Sequence, residues 1–101
     1  MQFRLQDNHV LKIEPEKFRP SRVRLIVKQM GKELVCRKEG INQLLEFLYS
    51  KDEQLFKGRL QISKTNDQIS IWVKEQNVGS IDAKALKDGL ISVLNNIEPT
   101  K

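Results

Sequence analysis

The sequence predicts an α+β fold in which two antiparallel hairpins are each followed by a helix, with both helices packed on one face of a curved antiparallel sheet. The spacing of apolar residues changes from every second residue to every third or fourth residue, and this change occurs twice along the chain. The 101 residues are enough for one core and too few for two full domains. We therefore treat residues 1–101 as a single domain.

The first predicted element is a short N-terminal hairpin. Residues 3–5 and 10–13 alternate apolar and polar side chains, and residues 7–8 between them favour a turn. Pro15 and Pro20 follow and bracket Phe18. Because proline cannot donate a backbone hydrogen bond within a sheet, this segment is predicted to be a loop and not a central strand.

The next hairpin consists of predicted strands at 22–29 and 32–37, joined by Met30 and Gly31. A two-residue turn pairs Val27 with Leu34 and Leu25 with Cys36, which places Leu34 and Cys36 on the buried side; a bulged turn stays open as an alternative. A helix is predicted over residues 39–50 from an apolar stripe with helical spacing. The stripe consists of Ile41, Leu44, Leu45 and Leu48.

The second half of the chain follows the same plan after a polar linker at 51–54. Strands are predicted at 56–63 and 68–75 with a four-residue turn between them, followed by a short strand at 78–81. Asp82 is placed to cap a helix over residues 82–96. Gly89 within this helix costs about 1 kcal/mol relative to alanine, so the helix is expected to depend on packing.

A shift of 46 positions aligns the strand Val23–Lys28 with Ile69–Lys74 and the apolar residues of the two helices with each other. This alignment suggests an internal repeat of 1–50 and 55–97. A true duplication and a chance match of strand and helix patterns both stay open. The architecture predicted is the same in either case.

This order of strands and helices resembles the single-stranded nucleic-acid-binding folds of Pur-alpha and Whirly, which are built from repeated units of several strands followed by a helix. The resemblance spans nearly the whole chain and concerns the order of the elements. It implies that a nucleic acid binds on the strands.

Catalytic and cofactor chemistry finds little support in the sequence. His9 is the only histidine and Cys36 the only cysteine, so a Cys/His zinc site or a Ser/His/Asp triad cannot be assembled within one chain. No glycine-rich phosphate-binding motif is present. We therefore expect a binding module, not an enzyme, without metal or small-molecule cofactor. His9 is expected in an exposed turn or edge strand, and Cys36 as an inert filler of the core.

The cellular location follows from similar observations. No apolar run reaches the roughly 18 residues that a membrane span needs, and the N-terminus lacks the apolar segment of a signal peptide. A single cysteine excludes an internal disulfide and suits a reducing compartment. The expected location is the cytoplasm.

Positive charge is concentrated in one stretch of the chain. Residues 17–38 contain eight basic residues and one acid, a local charge of +7 within a chain of net charge +5. Such concentration is typical of a protein that binds an anionic partner, although a solvated basic face stays open.

The outward face of the predicted sheet brings these charges together. The predicted registers place Arg24 opposite Arg37, and Arg59 opposite the only tryptophan, Trp72. Two arginines placed so destabilise a sheet unless an anion binds between them, and an indole beside cations suits unpaired bases. Single-stranded DNA or RNA is thus the expected ligand. The predicted binding residues are Arg22, Arg24, Lys28, Arg37, Lys57, Arg59, Trp72 and Lys74.

A second interpretation is a protein-interaction or dimerisation module. In this case Ile26, Val35 and Trp72 form an apolar patch rimmed by basic residues, which an acidic partner or a second copy of the chain covers. The sequence leaves open whether Trp72 is exposed or covered, for instance by the loop that contains Phe18.

Overall fold

The computed structural model describes residues 1–16, 19–51, 53–56 and 58–97 and contains two four-stranded antiparallel sheets and two helices. Sheet 1 consists of β1 (Gln2–Arg4), β2 (His9–Glu16), β3 (Arg19–Gln29) and β4 (Lys32–Gly40), and is followed by α1 (Ile41–Tyr49). Sheet 2 consists of β5 (Gln54–Leu55), β6 (Leu60–Thr65), β7 (Gln68–Val73) and β8 (Gln76–Asp82), and is followed by α2 (Ala83–Ile97). The predicted α+β class is confirmed, with two separate sheets in place of one.

The strands near the prolines differ from the prediction. Pro15 lies in β2 and Pro20 in β3, and both strands are central in sheet 1, so the predicted loop is wrong for most of its length. Pro15 lies beside a register irregularity in the β2–β3 ladder, where a missing backbone donor is tolerated. Phe18, which the sequence left open as a cover for Trp72, lies outside the described residues.

The two sheets and the two helices share one hydrophobic core. Alternate residues of β7 are buried, as the predicted period of two requires, and β3 shows the same alternation except that Ile26 is buried as well. Each helix contributes one buried apolar stripe to this core. The stripe of α1 consists of Ile41, Leu44 and Phe47, and the stripe of α2 consists of Leu86, Leu90 and Val93. Burial of each large aliphatic side chain contributes about 1.5–3 kcal/mol, so these stripes hold the helices to the sheets. Asp82 accepts a hydrogen bond from the Ala85 amide and thus caps α2 as predicted. Neither described helix has the length and apolar character to cross a membrane.

A β-bulge changes the register of the first long hairpin. Met30 and Gly31 form the two-residue turn, both with positive φ, but β4 contains one extra residue, Leu34, opposite the Val27–Lys28 step. The ladder therefore pairs Val27 with Val35 and places Arg37 opposite Leu25. An extra residue exchanges the two faces of the strand beyond it.

Three predictions about this hairpin are corrected as a result. Val35 is buried in the core and Cys36 is exposed, the reverse of the expectation. Arg24 lies opposite Lys38 and not opposite Arg37. Arg37 itself lies on the same face of the sheet as the core residue Leu25.

The second hairpin has a tighter turn than predicted. Asn66 and Asp67 form a two-residue connection between Thr65 and Gln68, and Asn66 has a positive φ of 55°. The ladder pairs Trp72 with Gln61, so the predicted pairing of Trp72 with Arg59 is wrong. Because the register moves by two residues, Trp72 stays on the face opposite the core, as predicted.

The chain consists of two units, unit 1 with β1–β4 and α1, and unit 2 with β5–β8 and α2. Both units have the same order of four strands and a helix, and both have a bulge in the fourth strand. In β8 the extra residue is Val78, opposite the Ile71–Trp72 step, and the turn before it is formed by Lys74 and Glu75. The first turn residues, Met30 and Lys74, are 44 positions apart, and the helices begin 42 positions apart. The shift of 46 found in the sequence therefore pairs residues that are two to four positions out of structural register.

The fourth strand of each unit lies against the other unit. The Gln6 amide, in the β1–β2 connection, donates a hydrogen bond to the Val78 carbonyl of β8 at 2.9 Å. In the other direction, Val35 and Cys36 of β4 line a groove together with Gly58–Leu60 at the start of β6. The outer faces of the two sheets are thus neighbours at the junction of β4 and β6.

Candidate functional site

The outer face of sheet 1, the face opposite the core, carries an excess of positive charge. Among the residues whose side chains the structure describes, the strand registers place six basic and three acidic residues on this face, a net charge of +3. The basic residues are Arg4, Lys12, Arg22, Arg24, Lys28 and Lys38, and the acidic residues are Glu14, Glu16 and Glu33. Arg22, Arg24 and Lys28 are therefore brought together as predicted.

Two carboxylates of β2 organise these cations. Glu14 contacts the Lys12 Nζ at 3.0 Å and the Arg24 Nη1 at 4.0 Å, while Glu16 contacts the Arg22 Nε at 3.3 Å and the Lys38 Nζ at 3.7 Å. Each carboxylate contacts two cations, so one negative charge is shared between two positive charges. Each pair of cations therefore keeps a net positive charge. The hydrogen bond from Lys12 holds the pKa of Glu14 below its ordinary value, with further contributions from the charges of Lys12, Arg24 and Lys28.

Arg24 occupies the centre of this arrangement. Its guanidinium interacts with the exposed Cys36 side chain and, more weakly, with Glu14 and Glu33, and these contacts raise the pKa of Arg24 above its ordinary value. Arg24 is thus a permanent cation within a cluster in which Lys38 is its cross-strand neighbour. Two cations side by side are typical of a surface that can accept an anion.

The apolar patch of the second interpretation is not present on this surface. Ile26 lies on the outer face but is only 3% exposed, and Val35 belongs to the core. Trp72 is half-buried. Two of the three proposed patch residues therefore offer no surface to a partner.

Arg37 lies in a different environment from the one predicted. It lines a wide groove of about 780 Å³ between the end of β4, α1 and the β5 segment. Its Nε donates to Glu39 at 2.6 Å, and its guanidinium lies 4.4 Å from the centre of the Phe56 ring. Arg37 also lines the smaller groove that contains Cys36 and Arg59, but it lies on the core-side face of β4 and not on the outer face that holds Arg24.

The central part of the outer face of sheet 2 is uncharged. It consists of Gln61, Ser63, Ser70, Trp72, Asn77 and Ser80. The Trp72 Nε1–H donates to the Ser63 Oγ at 2.9 Å, and Ser63 lies diagonally across the ladder from Trp72. This bond satisfies the indole N–H on the outer face, where the Trp72 side chain is half-buried.

Two cations lie at the end of the β6–β7 ladder, two residues beyond the Gln61–Trp72 pair. The Lys74 amide donates to the Arg59 carbonyl at 2.8 Å, so the two residues are side by side, and both are exposed. Arg59 also lines the groove of about 260 Å³ that contains Cys36. Arg59 therefore lies where the beginning of β6 meets β4 of sheet 1. Lys57, the remaining predicted binding residue, lies outside the described residues.

His9 has a structural position. It is 8% exposed, and its Nδ1 lies 2.7 Å from the Gln6 carbonyl, with which it forms a hydrogen bond that closes the β1–β2 turn. The expectation of an exposed histidine is wrong because the turn folds over it. The described part of the chain contains no cluster of three His, Cys, Asp or Glu side chains with the geometry to bind a metal.

Lys12 and Lys38 are members of the charged face that the sequence reasoning did not select. A signal for Lys12 was available, because residues 9–16 alternate in the same way as the predicted strands, with Leu11 and Ile13 on one side and Lys12 and Glu14 on the other. Lys38 moves to this face only through the bulge at Leu34, which has no clear signal in the sequence.

Comparisons of the chain with protein-family models, with curated proteins and with solved structures found no match. The resemblance to Pur-alpha and Whirly folds thus stays an expectation from the sequence.

Proposed function

We propose that the protein binds single-stranded nucleic acid across the outer faces of both sheets, with phosphates on sheet 1 and a base on Trp72. The observation that carries this proposal is the position of the indole. Its Nε1–H donates to Ser63 on the outer face of sheet 2, and the exposed Arg59 and Lys74 lie two residues further along the ladder. This combination of an aromatic platform and neighbouring cations is typical of proteins that bind unpaired strands.

The charged face supplies the binding of phosphates. Its net charge of +3 attracts a polyanion, and the cations that share Glu14 and Glu16 can exchange part of each ion pair for a phosphate oxygen. Ion pairs on an exposed surface contribute only about 0–1 kcal/mol each, so this exchange costs little. The paired carboxylates keep the arginine and lysine side chains in place before the ligand binds.

Stacking on Trp72 favours an unpaired strand over a duplex, because the faces of bases in a duplex are covered by their neighbours. The proposal agrees with what the resemblance to Pur-alpha and Whirly folds implies, namely binding on the strands. An exposed Cys36 thiol suits a reducing compartment, so we propose that this binding takes place in the cytoplasm. It is a binding function and includes no catalytic step.

Titration of the intrinsic fluorescence tests the proposal, because Trp72 is the only tryptophan. We expect a single-stranded oligonucleotide to quench this fluorescence at low salt and a duplex of the same length to quench it much less. The Trp72→Ala variant is expected to lose about 1–3 kcal/mol of binding free energy, measured by anisotropy of a labelled oligonucleotide, and Trp72→Phe to retain part of it.

Tyr49 provides the matched control. It is an exposed aromatic residue on α1, away from both outer faces, so Tyr49→Ala is expected to leave the affinity unchanged. Absence of any fluorescence response at low salt, or equal affinities of Trp72→Ala and the unmodified protein, would contradict the proposed role of the indole.

A further inference from the structure

We infer that Gln61, Trp72 and Asn77 form a slot that selects bases carrying an exocyclic amine, so that cytosine and adenine bind in preference to uracil and thymine. This inference rests on the proposed function and adds base selection to it. It is carried by the position of two side-chain amides on either side of the indole.

The three residues lie directly opposite one another in the ladder of sheet 2. Trp72 on β7 pairs with Gln61 on β6 and with Asn77 on β8. Because neighbouring strands are about 4.8 Å apart, the two amide-bearing residues flank the indole at a separation of about 10 Å. A planar base stacked on the indole therefore has an amide near each of two opposite edges.

Backbone hydrogen bonds determine which amide atom is available on each side. The Gln61 Nε2 donates to the Gly58 carbonyl at 3.0 Å, which leaves the Oε1 as an acceptor. The Asn77 Oδ1 accepts from the Gly79 amide at 2.8 Å, which leaves the Nδ2 as a donor. These assignments follow from chemistry, since a carbonyl can only accept and an N–H can only donate. The slot thus offers an acceptor on the β6 side and a donor on the β8 side.

Bases differ in how well they match this pair. Cytosine presents the N4 amine as a donor and adenine the N6 amine, and both also carry acceptors. Uracil and thymine present the O4 acceptor where cytosine has its amine, and their donor is the ring N3–H, so in the same orientation an acceptor and not a donor faces the Gln61 Oε1. Because both amides are already held by the backbone, little side-chain freedom is lost on binding, and the selection is built into the free protein.

The decisive experiment compares oligo(dC) with oligo(dU) of equal length at neutral pH and low salt. The two oligonucleotides have the same backbone, sugar and ring size and differ in the edge of the pyrimidine. We expect oligo(dC) to bind about five- to tenfold more tightly, as a discrimination of about 1 kcal/mol or slightly more would give.

Two variants test whether the amides cause this ratio. Gln61→Ala removes the acceptor, and Asn77→Asp removes the Nδ2 donor but keeps an oxygen for the Gly79 amide. Both are expected to bring the ratio of the two affinities close to one. Gln68→Ala is the matched control, because it removes an exposed amide on β7 away from the indole, and the ratio should persist in it.

The outcomes separate the slot from the proposed function. Equal affinities of the unmodified protein for oligo(dC) and oligo(dU), or a ratio that persists in both Gln61→Ala and Asn77→Asp, would overturn the slot while the binding function stands. Failure of both oligonucleotides to bind at low salt would overturn the proposed function together with the slot.

Discussion

Gly79 shows how the contact between the two units depends on a single residue. Its φ is +141°, a conformation that side chains with a Cβ rarely adopt. A Cβ at this position would lie 2.8 Å from the Leu5 Cβ and 3.0 Å from the Gln6 amide nitrogen. Leu5 and Gln6 belong to the β1–β2 connection, and the Gln6 amide donates a hydrogen bond to the Val78 carbonyl. The backbones of the two units therefore approach too closely at Gly79 for any larger residue.

Replacement of Gly79 by alanine is expected to destabilise the protein by about 2–5 kcal/mol, measured by urea unfolding. Backbone strain contributes about 1–3 kcal/mol and the displacement of the β1–β2 connection contributes the rest. Gly58→Ala is the control, because Gly58 has a φ of +103° but open space around it, and it should cost only about 1–2 kcal/mol. Equal costs of the two substitutions would show that the units do not meet at Gly79.

At the scale of elements, periodicity predicted what the local sequence controls. The strands of both long hairpins and both helices lie close to their predicted positions, because a buried face imposes its spacing on the apolar residues. β5 was not predicted, and its first residue, Gln54, was assigned to the polar linker, because two residues are too few to show a period. The two prolines misled the prediction for β2 and β3, since each lies near a strand end.

The candidate site was predictable only where no bulge intervenes. Trp72, Arg22, Arg24 and Lys28 lie on outer faces as expected, because each is an odd number of positions from the core residues of its strand. Arg37 and Lys38 follow the bulge at Leu34, so their faces are exchanged. A single inserted residue leaves no trace in the apolar count but moves an arginine to the other side of the sheet.

The end of α1 depends on a side chain from the other unit. α1 has no basic residue in its last turn, and the Lys64 Nζ of β6 donates to the carbonyls of Phe47 and Ser50. The same ammonium lies 4.8 Å from the centre of the Phe47 ring. A cation at the C-terminal end of a helix is stabilised by the unpaired carbonyls and the helix dipole.

Substitution of Lys64 by methionine is expected to destabilise the protein by about 1–2 kcal/mol in urea unfolding, because the carbonyls lose a charged donor while the apolar stem is kept. Lys32→Met, at an exposed position beside the β3–β4 turn, is the control and should change the stability by less than about 0.5 kcal/mol. If both variants were equally stable, Lys64 would not hold the two units together.

At the scale of the whole molecule, the two outer faces divide the chemistry of binding. Sheet 1 holds mixed charges with a positive excess, and the centre of sheet 2 holds an indole among hydroxyl and amide groups. The contact between β4 and the start of β6 places these faces side by side, with Arg59 and Cys36 at the junction. Under the proposed function, one strand of nucleic acid would therefore contact both faces, with its phosphates on one and its bases on the other.

Neutralisation of one carboxylate tests this division. Glu14→Gln is expected to strengthen binding of a single-stranded oligonucleotide about two- to fivefold at low salt, because Lys12 and Arg24 lose their shared anion, and the gain should shrink as salt screens the charges. The measurement is fluorescence anisotropy at several salt concentrations. Glu33→Gln is the control for a mere change of net charge, since Glu33 lies on the same face opposite Lys28, and its effect should be smaller. An affinity that is unchanged or weaker in Glu14→Gln would contradict phosphate binding at this cluster.

Glu14→Gln should also change the stability of the free protein, and the lowered pKa of Glu14 determines the sign of this change. The hydrogen bond from Lys12 lowers this pKa in the folded state, so the ionised carboxylate stabilises the fold above the ordinary pKa of a glutamate, and this contribution is lost as the pH falls through the lowered value. Glu14→Gln should therefore be less stable than the unmodified protein near neutral pH, by at most about 1 kcal/mol for so exposed a pair. The difference should shrink on acidification until Glu14 is protonated. Urea unfolding of both proteins across this pH range measures it, and a difference that grew as the pH fell would show that Glu14 does not stabilise the charged face as an ion pair. If Glu14→Gln made the free protein more stable and weakened oligonucleotide binding, Glu14 itself would contact the ligand. We expect the opposite pattern, in which Glu14 holds Lys12 and Arg24 in place in the free protein and a phosphate replaces it on binding.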